Sequence, residues 1–432
     1  MKNRKALALI AILALVAAAC GVSDGGSDEA VVEVETTEAP ATTEAPTTTA
    51  APAPASDPLI LASLMPLSGD LASLGPGIAL GAALAVEQIN AAGGINGQPV
   101  QLIEGDSGCD GAVALTSLND VIAQGAQGVM GAACSGTSLA ILDTAIAAEV
   151  VMVSPSNTSP QFTKIDKKGF YARTAPSDLL QGDVLASLLV EDGVQTVSII
   201  SRADSYGRGL AEATAAAFEA AGGTVKTIVY HATDASEFTS EVTAVGKGGA
   251  DAIVGILFPE TGCGVLQPAF EQGLLDTPWY MTDGVKDAGL ASLCGLGTAL
   301  DGFKGTAPGS AAGEAKDAFE AAYAEVSADG SPTFIFAPQA YDAVMLMAIS
   351  AAANGVTGPE IASGLVAASS GGEKCIGVAC IALAADGVDV DYVGASGEIE
   401  LNAVGDPTAA TYDIWTTEGD TNPVLKSVDF GS

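Results

Sequence analysis

The stretch with the clearest chemical potential runs from Val129 to Ser138, Val-Met-Gly-Ala-Ala-Cys-Ser-Gly-Thr-Ser. An apolar approach gives way to small and hydroxyl residues, and an apolar-periodic segment starts at Leu139. That order predicts a strand, a turn and the N-terminus of a helix. The first turn of a helix has unpaired backbone N–H groups and the positive end of the macrodipole, and Ser135 and Thr137 add hydroxyl donors. Such a turn suits an anion. A phosphate would draw a lysine or a longer glycine loop, and no G-x-x-x-x-G-K-[ST] occurs in the chain. A small carboxylate fits better. On this stretch alone, Ser135 acting only as a helix cap is the simpler account.

Other chemistries find few residues to work with. A serine triad would have to use His231, the single histidine, and neither G-x-G-x-x-G nor H-E-x-x-H occurs. A metal site is poorly served, because no C-x-x-C pair accompanies that histidine. We therefore expect no cofactor, no metal and no catalysis, although an enzyme using carboxylates alone remains open.

The elements that would position Ser135 follow from hydropathy. Apolar runs precede amphipathic, alanine-rich segments at Leu59–Leu64 before Gly77–Ala91, Val197–Ser201 before Leu210–Ala221, and Ala252–Phe258 before Val265–Gly273. Strands alternating with helices imply an α/β fold with parallel sheets, in which ligands bind at the carboxyl ends of strands. Residues 59–432 exceed one compact core and suit two lobes.

Ahead of them, Lys2, Arg4 and Lys5 precede the apolar run Ala6–Val16 and the small residues Ala17-Ala18-Ala19 before Cys20. This is an export leader, residues 1–19, too short to span a membrane. Cys20 resembles the acylated cysteine of bacterial lipoproteins, with Ala17 where that motif most often has leucine; acylation would anchor the chain to the outer face of the membrane. Residues 20–58 are rich in Thr, Pro, Ala and Glu and read as an extended tether.

The formal charge of −36, with only 16 Lys+Arg, excludes nucleic acid as an expected partner. Only Arg173, Arg202 and Arg208 remain once the leader is removed. Of seven cysteines, the six beyond Cys20 pair by sequence order as Cys109–Cys134, Cys263–Cys294 and Cys375–Cys380, among many possible pairings in an oxidising compartment.

The segment Ala85-Val86-Glu87-Gln88-Ile89-Asn90-Ala91-Ala92-Gly93-Gly94-Ile95-Asn96-Gly97 resembles the leucine/isoleucine/valine-binding proteins of branched-chain amino-acid ABC transporters, which are type I periplasmic binding proteins. The resemblance continues through Pro66-Leu67-Ser68-Gly69, Asp106-Ser107-Gly108-Cys109, Gly131 to Ser135, Ser154 to Pro160, Ser205-Tyr206-Gly207-Arg208-Gly209, Phe258-Pro259-Glu260 and Tyr341-Asp342-Ala343. It implies two Rossmann-like lobes with parallel sheets joined by three crossovers, with residues 59–175 and 304–395 in lobe 1 and residues 176–303 and 396–432 in lobe 2. The hinges would lie near Arg173–Asp178, Gly302–Pro308 and Gly394–Glu398.

By the same resemblance, Ser135 and Thr158 would hold a ligand α-carboxylate, with backbone around Cys134 and Ser156. Glu260 would pair with the α-ammonium, Tyr206 would form a wall, and Leu74 and Phe238 would lie near the pocket. It also implies the Cys109–Cys134 disulfide. Neutral donors facing one carboxylate would balance a zwitterion without arginine. Ser156 and Asn157, more polar than in leucine binders, point to a side chain other than leucine. The expected function is a monomeric, lipid-anchored substrate-binding protein that delivers an amino acid to an ABC permease. Alternatives are a clamshell sensor for a receptor, or a binder of an amide, urea or aromatic acid.

Overall fold

The computed structural model describes residues 57–431. The expected leader, Cys20 and nearly all of the tether lie outside these residues. In chain order the strands are β1 (Ile60–Met65), β2 (Gln101–Asp106), β3 (Gly128–Gly131), β4 (Val151–Ser154), β5 (Tyr171–Arg173), β6 (Thr196–Arg202), β7 (Thr224–His231), β8 (Ala252–Ile256), β9 (Trp279–Met281) and β10 (Lys304–Pro308). They are followed by β11 (Glu373–Ile376), β12 (Val390–Gly394), β13 (Gly397–Glu398), β14 (Ala410–Thr416) and β15 (Val424–Phe430).

One sheet has the order β2-β1-β3-β4-β5 and is parallel throughout. A second runs β15-β14-β10-β9-β8-β6-β7, parallel from β10 to β7 and antiparallel at β14 and β15. A small third sheet, β11-β12-β13, accompanies them. Every residue of β3, β4 and β8 is buried, as expected for parallel strands covered on both faces.

Helices begin earlier than hydropathy alone indicates. The helix Ser205–Ala220 starts where Asp204 caps it, its carboxylate accepting from Gly207 N–H at 2.9 Å, and Pro259 opens the helix Pro259–Glu271. Both starts are polar or rigid, so an apolar count misses them. The helix Gly75–Ala91 closes as its glycines dictate: Gly94 adopts φ +73°, and a Cβ there would meet Gln98 O at 1.9 Å. Asn96 and Gly97 follow, both with positive φ, in the tight turn that pairs Ile95 with Gln98.

The chain weaves between the lobes, and two boundaries fall elsewhere than expected. Strand β10 pairs with β9 and β14, so residues 304–308 belong to the second lobe. Residues 397–406 stay with the first: β13 pairs with β12, and Arg173 N–H donates to Gly405 O at 2.9 Å. The last crossing therefore follows Asp406. The resemblance put it near Gly394–Glu398, but Gly394 is a close-packing point, where a Cβ would meet the Asp342 carboxylate at 2.5 Å. Asp342 accepts from Tyr392 O–H at 2.8 Å, Ala395 N–H at 2.7 Å and Ser396 N–H at 2.8 Å. Burial nevertheless pushes its acid up to about 6.

Two crossings are stapled together by a buried ion pair. Arg173 Nε donates to Asp406 Oδ1 at 2.9 Å, and its Nη1 donates to the carbonyls of Asn157 and Ser159, each at 3.0 Å. Lys167 Nζ lies 3.6 Å from the same carboxylate. Burial alone would raise the Asp406 acid, but Arg173 overrides it and holds the group below the usual carboxylate range. All three expected disulfides are present, Cys109–Cys134, Cys263–Cys294 and Cys375–Cys380, with Cα separations of 5.5, 4.9 and 5.4 Å. No helix among the described residues is long and apolar enough to cross a membrane.

Replacing Arg173 by Met should lower the unfolding free energy by about 3–5 kcal/mol, because it strands a buried carboxylate. Adding Asp406→Leu should recover part of that loss. Urea denaturation of the two variants against the parent measures both.

Candidate functional site

Strand β3 ends at Gly131, and the helix Ser135–Ala147 starts four residues later. Cys134, tied to Cys109, occupies the N-cap position without a side-chain cap bond. Ser135 is thus the first helical residue rather than the cap, and its buried Oγ accepts from Ser159 N–H at 3.4 Å. The turn before it is fixed by the loop after β4. Ser154 Oγ donates to Ala132 O at 2.9 Å, and Asn157 Nδ2 donates to the carbonyls of Ala132 and Ala133 at 2.9 and 2.8 Å. Asn157 Oδ1 accepts from Tyr171 O–H at 2.9 Å. Asn157 is therefore committed to scaffolding, and the inference drawn from its polarity about the ligand side chain falls. Ser156 Oγ likewise donates to Ala133 O, at 3.2 Å, although Ser156 does line the cleft.

On the second lobe, the Tyr206 ring stacks on Phe258 with centroids 5.3 Å apart. Its hydroxyl donates to Asp283 Oδ1 at 2.9 Å and lies 2.9 Å from Thr282 Oγ1. Asp283 sits just beyond the carboxyl end of β9. Gln181 Nε2 also donates to Oδ1, at 2.9 Å, so both bonds fall on the same oxygen. Burial pushes the Asp283 acid up to about 6. Asp178, wholly buried with neither carboxylate oxygen hydrogen-bonded, is raised as well, by burial and then by the neighbouring Asp283.

A cavity of about 20 Å³ lies between these two sets of residues, room for about one water molecule. The first lobe lines it with Leu71, Leu74, Ile78, Ala133, Ser135, Ser156 and Phe336, and the second with Tyr206, Phe258, Asp283 and Gly284. Of the expected site residues, Ser135, Ser156, Tyr206 and Leu74 meet here. Cys134 adjoins the wall between Ala133 and Ser135. Thr158 is buried just behind it, its carbonyl accepting from Asp178 N–H at 2.8 Å.

Two expected residues are not in the wall. Glu260 Oε1 accepts from Ser73 N–H at 2.9 Å while its Oε2 is buried without a partner among the described residues, and the carboxylate that lines the cavity is that of Asp283. The difference arises because β8 and β9 both end at the cleft, and Glu260 is carried into the first turn of the helix that follows β8. Phe238 packs inside the second lobe, its ring 4.5 Å from that of His231, because it begins the helix Thr239–Gly246 and turns inward. A strand-end signal for Asp283 was present, since it follows the short apolar run Trp279–Met281 by two residues, but the same kind of signal marks Glu260 after β8.

Chemically, the site offers donors on one lobe, a carboxylate on the other and an apolar wall between. A larger cavity of about 430 Å³ opens where β12–β13, the start of the helix Glu314–Val326 and β14–β15 meet, with Glu314, Lys316, Glu398 and Asp429 in its lining. Among the described residues no group of three or more His, Cys, Asp or Glu could hold a metal ion.

A family model described as periplasmic binding protein matches residues 58–374. An amino acid binding protein of Pseudomonas aeruginosa is 34% identical over 238 residues, 53% of this chain and 62% of that one. The aligned chain thus spans less than two thirds of that relative's length. Among solved structures, the branched-chain amino acid transporter substrate binding protein LivJ from Streptococcus pneumoniae, in complex with isoleucine, has a TM-score of 0.72 at 22% identity, covering 87% of this chain and 100% of that one. A solute binding protein of an R. palustris ABC transporter, in complex with benzoate, has a TM-score of 0.71 at 18% identity, covering 87% and 98%. These likenesses establish the two-lobed α/β fold. With a family model matched from the first strand into β11, and a cleft built from both lobes, the chain belongs to the periplasmic binding protein family.

Proposed function

We propose that the protein captures an amino acid with an apolar side chain between its lobes and delivers it to the permease of an ABC importer. Ser135 and the N-terminal N–H groups of its helix receive the α-carboxylate, with Thr158 and the backbone near Cys134 and Ser156 in support. Asp283 pairs with the α-ammonium, held in place by Tyr206 and Gln181. Leu71, Leu74, Ile78, Phe258 and Phe336 surround the side chain. The observation that carries this reading is the placement of a buried carboxylate and a helix N-terminus on opposite walls of one cavity. A simple aromatic acid would leave Asp283 without a cation in a buried site, a costly arrangement.

The closed cleft is too small to admit an amino acid, so binding requires the lobes to part and then close on it. Only a molecule that touches both lobes favours closure, and the dipolar wall supplies that difference in affinity. Acylation of Cys20 would hold the protein, as a monomer, on the outer face of the membrane, with residues 20–58 as its tether.

Calorimetric titration of the mature chain, carrying Cys20→Ala to keep it soluble, against the twenty amino acids tests the reading. Apolar amino acids should bind. Asp283→Asn should cost about 2–5 kcal/mol of affinity for them, and unchanged binding by that variant would refute the ammonium assignment.

A pH series gives an independent check. A bound ammonium favours the charged form of Asp283 and so lowers its pKa, which means that binding releases a proton wherever the empty site is protonated. Affinity should be constant above about pH 6 and fall by up to about tenfold per unit below it. A profile flat down to pH 4.5 would contradict this.

For the anchor, Cys20→Ala expressed in the host should appear in the soluble fraction, whereas the parent stays with the membrane on cell fractionation.

A further inference from the structure

The rim of the cleft carries contacts that the ligand reading does not use. The helix Pro259–Glu271 begins after Phe258, whose side chain cannot cap it. Its Thr261 N–H donates instead to Asp70 Oδ1 at 2.8 Å, and Asp70 belongs to the other lobe, in the loop between β1 and the helix Gly75–Ala91. Asp70 Oδ2 accepts from Thr261 Oγ1 at 2.9 Å and from the Arg202 guanidinium. The guanidinium in turn lies 3.8 Å from the centroid of Phe258, a cavity residue, and pairs with Asp204 at 2.9 Å. Three residues beyond Asp70, Ser73 N–H reaches Glu260 Oε1 in the same helical turn. Leu71 lies between these ties and Leu74 directly after them, both in the cavity wall.

We propose that Asp70 is a positioning residue for ligand binding: it caps a helix of the opposite lobe and so clamps the loop bearing Leu71 and Leu74 over the cleft when the lobes meet. An acidic cap supplies an acceptor to an orphan N–H and a negative charge to the positive end of the helix. Arg202, nearly enclosed and with its other flank on Phe258, gives the carboxylate a charged partner at the same point. The clamp closes without touching ligand, so it holds every bound molecule alike. It rests on the cleft being the binding site, but its effect on lobe separation does not.

Two measurements on the mature chain with Cys20→Ala decide the matter, comparing Asp70→Ala with the parent. Stopped-flow binding of L-leucine and L-alanine should show dissociation faster by roughly tenfold, the size expected for losing a helix cap together with a charged partner, with the ratio of the two affinities unchanged. Small-angle X-ray scattering without amino acid should show a larger radius of gyration for the variant. Asp70→Asn, which keeps the acceptor for Thr261 and loses the charge for Arg202, should fall between. Equal dissociation rates and equal scattering would overturn the proposal, as would a change in the affinity ratio. Should the parent bind neither amino acid, the reading of the cleft is what fails, and the scattering comparison still decides the clamp.

Discussion

A helix N-terminus can offer only donors, and a buried carboxylate only acceptors; in this protein the two are mounted on bodies joined by three short crossings. The constraint shapes the rest of the site. The Ser135 turn has to be rigid, so the side chains of Ser154, Ser156 and Asn157 are used up in holding the carbonyls of Ala132 and Ala133. Asp283 is held in its orientation by Tyr206 and Gln181, which both donate to one of its oxygens. Neither pole needs an arginine, which suits a chain with so few of them. Arg173 joins two crossings, Arg202 sits at the cleft rim, and Arg208 lies over the Tyr230 ring at 4.3 Å.

Much of this was legible in the amino-acid order, for identifiable reasons. Parallel strands are buried on both faces, so β1, β6 and β8 announce themselves as predominantly apolar runs, broken only by small or terminal polar residues in β1 and β6. Ser135 stands at a strand-to-helix step that local sequence reveals, and the structure puts it in the cavity wall. Gly94 follows the helix end because no other residue tolerates the approach of Gln98 there.

What stayed hidden depends on direction and distance in space. Glu260 follows β8 by four residues and Asp283 follows β9 by two, and nothing in their immediate neighbours tells which side chain lines the cavity and which reaches Ser73. Asn157 looks like a ligand group because its amide is polar; only the fold reveals that both ends of that amide are already bonded. The crossings were misplaced for a similar reason. Gly394 looks like a pivot, yet it is glycine because the Asp342 carboxylate lies where a side chain would be.

The Arg173–Asp406 pair has a bearing on how the chain is made. Its partners are 233 residues apart in sequence, and the first lobe also draws its long helix Ala337–Asn354 from the far side of the second. Contacts between such distant segments form slowly, since a large loop must close before they are rewarded. During synthesis the first lobe therefore remains incomplete, with Arg173 lacking the carboxylate it is buried against in the finished fold, until nearly the whole polypeptide has emerged. A chain organised in this way stays open and threadable for most of its elongation, which suits the position proposed for it on the far side of a membrane.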